Sequence, residues 1–351
     1  MFCQWENDRL YIERKFRDKN FYDHAPGIPL DDLKDLLEQL SAADRELPHM
    51  QAKARGLAML FQHTRIDVSN SDYFPGLEFA LVRPLAKNYI QQWASQAWQN
   101  LFTDDEREDH SLCEQVNVSF VRYDFDHSVP DWDSVLQLGF PGLLARVLTY
   151  KEQCKAAGKF TEKARIYFES LETVYCAILE LLDRLIAEAA QLPAMPKGRQ
   201  LLEALQNLRF GCAGNFYEAL LQIWLYFLIS EYADQFQART FGNLDVMLYP
   251  YYCRDLERGK FSKEDIRYFI RSFMYQSTAI RHKVGHPFYF GGTNPNGSSA
   301  INELLRASFA VTDKILHNSA SAVKINCIAF PNALCKTYPS IIFRIFVKKY
   351  P

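Results

Sequence analysis

The sequence predicts a helix-rich α/β protein. Two patterns and a bulk property predict it. Long stretches carry apolar residues at three- and four-residue steps. Short runs that alternate every second residue lie between them. Of the 351 residues 48% are hydrophobic and 23% charged, an ordinary globular composition, and a chain of this length can bury a large core. Helical blocks separated by strands favour an α/β arrangement. The helix content is too high for a simple doubly wound sheet. There is no internal repeat, no low-complexity stretch and no interdomain linker.

Much of the first 110 residues reads as helix with polar breaks. Leu30, Leu33, Leu37 and Leu40 recur at helical spacing. Tyr73-Phe74-Pro75-Gly76 reads as a turn. Thr103-Asp104-Asp105-Glu106 fits a capping box at the start of a short helix. Val116–Val121 alternates and reads as a strand. Pro130-Asp131-Trp132 then leads into a helical run, Ser134–Tyr150. The clearest helix is Thr161–Leu192, where Ala164, Tyr167, Leu171, Val174, Ile178, Leu181 and Leu185 form one stripe ended by Pro193 and Pro196. A buried helix is expected at Phe216–Ala233. Its run Ala219–Ser230 is the longest apolar stretch and is too short to span a bilayer. Ser262 opens a further helix with acidic residues in the first turn. Phe288–Phe290 reads as a strand ending in a tight turn at Gly291-Gly292, Ala300–Leu316 as a helix, and Val323, Ile325 and Cys327 as one face of another strand.

Charge and cysteine content exclude several function classes. The formal net charge is -2, which gives no electrostatic reason for nucleic acid or an anionic membrane as partner. The N-terminus is charged throughout and has no signal peptide. The eight cysteines are dispersed, with no C-x-x-C pair, and read as reduced thiols in a cytoplasm. The eight histidines show no zinc spacing, so no metal site is expected.

Four segments, in order, resemble the pyruvate formate-lyase family of glycyl radical enzymes. The first is Asp126-His127-Ser128-Val129-Pro130-Asp131-Trp132, with Val135-Leu136 and Gly139-Phe140-Pro141-Gly142. The second is Asn215-Phe216-Tyr217-Glu218-Ala219-Leu220, similar to the family's Phe-x-Glu-Ala-Leu-Gln. The third is Gly242-Asn243-Leu244-Asp245 with Leu248-Tyr249-Pro250-Tyr251-Tyr252 and Asp255-Leu256-Glu257-Arg258-Gly259. The family usually reads Gly-Arg-x-Asp-Gln there, so Asn243 and Val246 are departures. The fourth is Gly291-Gly292 with Asn296-Gly297 and Asn302-Glu303-Leu304.

The resemblance implies a fold, a chemistry and partners. The fold is an N-terminal helical region followed by the first part of a ten-stranded glycyl-radical-enzyme α/β barrel. Residues 1–331 would form a partial domain, and 332–351 an atypical tail that a frameshift or truncation would explain. The chemistry is hydrogen-atom abstraction from a small metabolite by a cysteine thiyl radical, cleaving a C–C, C–O, C–N or C–S bond. No cofactor is bound directly. The glycyl radical behind the thiyl is installed by a separate activating enzyme that uses S-adenosylmethionine and an iron–sulfur cluster. The full-length family implies a homodimer.

Neither the family's glycyl loop (Arg-Val-x-Gly-Tyr) nor its Gly-Cys-x-Glu loop occurs in the sequence. Gly211-Cys212-Ala213-Gly214 lacks the Glu, so Cys212 reads as a structural thiol, and Cys327 and Cys335 as inert. The chain alone is therefore expected to be silent. In several members the His matching His127 lines the substrate pocket and can relay a proton. Asp131 would hydrogen-bond substrate or His127, with a helix N-cap role standing beside that reading. Arg239 and Asp245 read as a structural ion pair, and Gly291-Gly292 as a tight turn, since no phosphate-binding Lys-Ser/Thr follows. A non-catalytic scaffold, or a pseudoenzyme, is the main alternative. A hydrolase using His127 and an acid lacks any G-x-S-x-G motif.

Overall fold

In chain order the helices are α1 (Phe2–Arg17), α2 (Leu30–Ala43), α3 (His49–His63), α4 (Asp104–Gln115), α5 (Trp132–Ala156), α6 (Glu162–Gln191), α7 (Pro196–Phe210), α8 (Phe216–Phe227), α9 (Leu244–Glu257) and α10 (Lys263–Ala279). The computed structural model describes residues 2–78, 102–116, 118, 129–233, 241–280, 288–292, 296–304, 306 and 327–329. A short antiparallel pair joins β1 (Ile66–Asp67) to β2 (Gly76–Leu77). A parallel pair joins β3 (Phe288–Phe290) to β4 (Cys327–Ala329), in the register Phe288 with Cys327 and Phe290 with Ala329. Parallel strands need a long crossover between them, so this pair is not a hairpin.

The helix starts follow their local chemistry. Thr103 and Glu106 form the expected capping box on α4, and Ser262 and Asp265 form another on α10. Thr161 caps α6 by accepting from Ala164 N, and Asn215 caps α8 by accepting from Glu218 N. Pro196 stands at the start of α7, where its missing N–H costs nothing.

α8 lies at the centre. Every residue of it except Tyr226 is buried, and all but Glu218 and Gln222 are apolar or aromatic, as suits a core helix. It packs against α5, α7, α9 and α10. Two of its side chains bond backbone elsewhere in the fold: Trp224 Nε1 donates to Pro75 O at 2.9 Å, and Tyr217 OH donates to Tyr73 O. The Tyr73–Gly76 segment is thus pinned from the core, bending at Tyr73 and Phe74 before entering β2.

Four sequence expectations change. The helix expected over Phe216–Ala233 is α-helical only to Phe227, and Leu228–Ala233 winds as a π-helix. The helix expected over Ser134–Tyr150 runs from Trp132 to Ala156 but breaks at Gly139, just before Pro141. Val116 closes α4, donating to Leu112 O at 3.2 Å, instead of opening a strand; of the rest of that run only the exposed Val118 is described. The stripe on α6 is half used. Ile178, Leu181 and Leu185 are buried, but Tyr167 is 46% exposed, and apart from Ser170 the buried positions of this helix all lie from Ala177 onward.

The N-terminal helix is clasped to the end of the described body. Trp5 meets Tyr268 and Tyr275 of α10 edge-on, with ring centroids 5.9 and 5.6 Å away. Asp8 accepts from Lys197 Nζ at 2.7 Å and from Tyr268 OH, and Glu13 accepts from Tyr275 OH.

Candidate functional site

The four segments singled out in the sequence meet in space, and backbone geometry joins them. Gly139 adopts φ +65° and ψ 176°, a conformation reserved for glycine. A Cβ built on it would lie 2.4 Å from Gly211 O and 3.0 Å from Cys212 Cα. The first segment therefore seats its kink directly on the backbone that leads into the second.

The second segment is organised by Glu218. Its Oε1 accepts from Asn207 Nδ2 at 2.8 Å and Asn215 Nδ2 at 2.6 Å, and its Oε2 accepts from Gly214 N at 2.7 Å. From the third segment, Asp255 Oδ2 accepts from Phe216 N at 2.6 Å, and Arg254 donates to Gly214 O at 2.8 Å. Asp255 thus takes up one of the free amides at the start of α8.

The third and fourth segments close on one peptide. Gly291 N donates to the Asp245 carboxylate at 3.1 and 3.0 Å, while Asn243 Nδ2 donates to Gly291 O at 3.0 Å. Asn302 Nδ2 adds a contact to Asp245 Oδ2 at 3.3 Å. Gly291 and Gly292 both have positive φ, as the expected tight turn after β3 requires. Burial pushes the Asp245 carboxyl up to about 6, against the pull of the Gly291 amide. Arg239 lies outside the described residues, and the described partners of Asp245 are neutral N–H donors.

Trp132 connects the first segment to the third. It lies edge-on to Tyr226, with centroids 5.5 Å apart, and its Cδ1 is 2.8 Å from where a Cβ on Gly242 would stand. The junction thus sits where α8 turns into its π-helical end, a local geometry frequent at functional sites.

Of the two site residues expected from sequence, His127 lies outside the described residues. Asp131 caps α5: Oδ1 accepts from Ser134 N at 3.1 Å and Oδ2 from Ser134 Oγ at 2.5 Å. Those Ser134 hydrogen bonds hold its carboxyl below the usual range. The acids that tie the junction together, Glu218, Asp245 and Asp255, were visible as letters of the motifs, but their partners lie on other elements. Cys212 is a free thiol and is exposed rather than buried in the core.

Beside Asp245 an apolar slot of about 10 Å³, lined by Phe216, Leu220, Leu248, Phe273 and Met274, has room for about one water. A wider cleft of about 420 Å³ opens between α7, α8 and Lys260, away from Asp131. Among the described residues no cluster of three or more His, Cys, Asp or Glu could hold a metal ion. No described helix is long and apolar enough to cross a membrane.

A family model described as pyruvate formate lyase-like matches residues 83–327, more than half of the chain. The chain belongs to this family. A search of curated proteins finds no match. Solved structures agree on the fold of this pyruvate formate lyase-like chain. A glycyl radical enzyme from Archaeoglobus fulgidus superposes with TM-score 0.71 at 14% identity, over 96% of this chain and 50% of that one. Hydroxyproline dehydratase from Clostridioides difficile gives TM-score 0.71 at 13% identity, over 95% and 49%. A Roseburia inulinivorans structure reported for 1,2-propanediol dehydration gives TM-score 0.68 at 15% identity, over 88% and 45%. The chain spans about half the length of these relatives. Its fold is the helix-rich part of a glycyl-radical-enzyme barrel, as the four segments implied.

Proposed function

We propose that this chain is the N-terminal part of a glycyl radical enzyme that cleaves a C–C, C–O, C–N or C–S bond of a small metabolite, and that it is silent by itself. The observation that carries the reading is the junction: all four family segments pack into one body through backbone ties, in a fold shared with dehydratases of the glycyl radical class. In that chemistry the radical supplies hydrogen-atom abstraction, and the protein holds the substrate close and excludes water and oxygen. Neither radical loop occurs in the sequence. The activating enzyme, a second copy of the full-length protein and a cytoplasmic setting complete the proposal.

In this reading His127 and Asp131 contact the substrate. Asp131 is exposed and ionised, and it sits one residue before Trp132, whose ring holds the junction. Its two hydrogen bonds to Ser134 favour a second reading, in which it only caps α5. Two substitutions separate these in the activated full-length enzyme. Asn preserves a cap, so a capping role predicts normal KM for Asp131→Asn and lower stability for Asp131→Ala. A substrate-binding charge predicts that both raise KM, by roughly tenfold or more for a lost charged hydrogen bond.

The parent assignment is tested by the intact mass of the native protein in anaerobically grown source cells. A species about twice this length that shows a glycyl radical signal after treatment with its activating enzyme supports it. A 40.8 kDa species with no radical signal would install the scaffold or pseudoenzyme reading instead.

A further inference from the structure

The β1–β2 pair faces a polar chamber that the proposed chemistry does not use. Asp67 pairs in register with Gly76, and Glu78 N donates to Arg65 O at 3.0 Å. By the two-residue alternation of strands, Arg65, Asp67, Gly76 and Glu78 share one face. Gly76 leaves a gap on that face, and the Tyr22 hydroxyl fills it, 2.7 Å from where a Cβ at 76 would stand. Lys15 Cδ approaches the same point to 2.5 Å. Tyr22, Lys15, Asp67, Asp72 and Glu78 are all buried.

The charges in this chamber do not balance. Lys15 Nζ lies 2.5 Å from Asp72 and 3.9 Å from Asp67, and Arg65 pairs at 3.4 Å with the exposed Asp23. Two cations therefore face three buried carboxylates among the described residues, and Asp23 only increases the deficit. The nearby Asp8–Lys197 pair is neutral as a unit. An uncompensated buried charge is costly, and a protein avoids it by binding a proton.

Hydrogen bonding indicates where that proton sits. Asp72 is an unfavourable place, since Lys15 Nζ, Phe74 N and Gln276 Nε2 all donate to its oxygens. Asp67 Oδ1 accepts from Tyr11 OH at 2.6 Å, but Asp67 Oδ2 accepts no hydrogen bond and has only Lys15 Nζ, 3.9 Å away, as an ion-pair neighbour. Glu78 Oε2 and the Tyr22 hydroxyl are also buried without partners. The unfilled positions are thus two carboxylate oxygens on one face, with a hydroxyl above the glycine between them.

We infer that this chamber is a proton-binding site, in which one proton is held on Asp67 or on Glu78, on the face beneath Tyr22, and that its loss weakens the docking of α1. The coupling is geometric, because α1 supplies Tyr11 and Lys15 to the same chamber. Burial raises Asp67 to about 6 and Glu78 to about 7, in keeping with that assignment. Both folded values lie above the ordinary carboxylate range. The stabilisation is therefore complete at acid pH and is lost as pH rises through roughly 6–7.

The test is hydrogen exchange of the full chain, read on peptides from residues 2–27 between pH 5.5 and 8 and corrected for the intrinsic pH dependence of exchange. Protection of this segment should fall several-fold across that window. Asp67→Asn and Glu78→Gln each remove one negative charge and should each abolish the fall, leaving α1 at least as protected at pH 8 as in the parent chain. Infrared spectroscopy of the parent should show a protonated carboxylic acid carbonyl band at pH 5.5 that vanishes by pH 8. Flat protection in the parent, an unchanged slope in both variants, or absence of the band would each overturn the assignment. If one variant fails to fold, the other variant and the band still decide.

Discussion

At the scale of single residues, three acids carry the junction by holding backbone amides. Glu218 takes Gly214 N, Asp255 takes Phe216 N and Asp245 takes Gly291 N, across sequence separations of 4, 39 and 46 residues. A carboxylate accepting an amide forms a charge-assisted bond, stronger than a neutral one. Asp245 makes a pH prediction with a definite sign. Its folded value of about 6 lies above the ordinary 3.8, so the folded state holds the proton more tightly than the unfolded chain. Its contribution is full at acid pH and fades as pH rises through about 6. Asp245→Asn should flatten the part of the urea-midpoint-against-pH curve that falls between about pH 4 and pH 6, and an unchanged curve would show that another group is responsible. Gly139 makes a steric prediction. With φ +65° and a carbonyl oxygen 2.4 Å from the Cβ position, Gly139→Ala should cost about 3 kcal/mol or more. A melt within a degree or two of the parent would mean that the kink can move. Lys15→Met leaves buried Asp72 without its cation and should cost about 3–5 kcal/mol, measured as the loss in unfolding free energy in urea.

At the scale of elements, what sequence revealed and what it hid divide along physical lines. Caps are local, involving partners three residues apart, so Thr103–Glu106 and Ser262–Asp265 could be read directly and both formed. α8 declared itself by the longest apolar run of the chain, Ala219–Ser230, interrupted only at Gln222. Its change to π winding at Leu228 did not, because no local residue choice demands it. The break at Gly139 depends on the Gly211 backbone 72 residues away, although Pro141 marked the neighbourhood. β1 and β2 are two residues each, too short for alternation to register. The stripe on α6 marked where that helix could be buried, and the deeply buried part is the second half, where Arg184 reaches Phe61 O of α3 and Asp183 pairs with Arg209 of α7. The site was legible as four segments. Their convergence was not, since each tie crosses from one element to another. α6 makes its own prediction: at 30 residues it is about 45 Å long, and its first half has little cover. Amides before Ser170 should exchange faster than those of Ile178–Leu185, and uniform protection across α6 would contradict that.

At the scale of the whole molecule, the described sheet β3–β4 is a two-stranded parallel pair. Parallel sheets are normally covered on both faces, and a sheet of two strands has little stability of its own. The chain alone should therefore associate or precipitate, and size-exclusion chromatography should show it in aggregates or in company. A cooperative, monomeric, high-temperature melt would refute this. The surface ion pairs, such as Lys260–Glu203 and Lys263–Glu303, contribute little to either outcome. The core does more: it is a single cluster running from Trp5 to Leu304.

The clasp between α1 and α10 has a consequence for synthesis. Asp8 and Tyr268 are 260 residues apart, and Glu13 and Tyr275 are 262 apart. At about 5–20 residues per second, the first helix leaves the ribosome roughly 13–50 s before the surface that receives it. In that interval Trp5 has no native cover from α10. The helix reads FCQWENDRLYIERKFR, with charged residues between its apolar ones. Such a segment can wait in water without recruiting neighbours. Its residence in the open is therefore set by translation speed, and a ribosome stalled before residue 268 should hold it accessible to a protease.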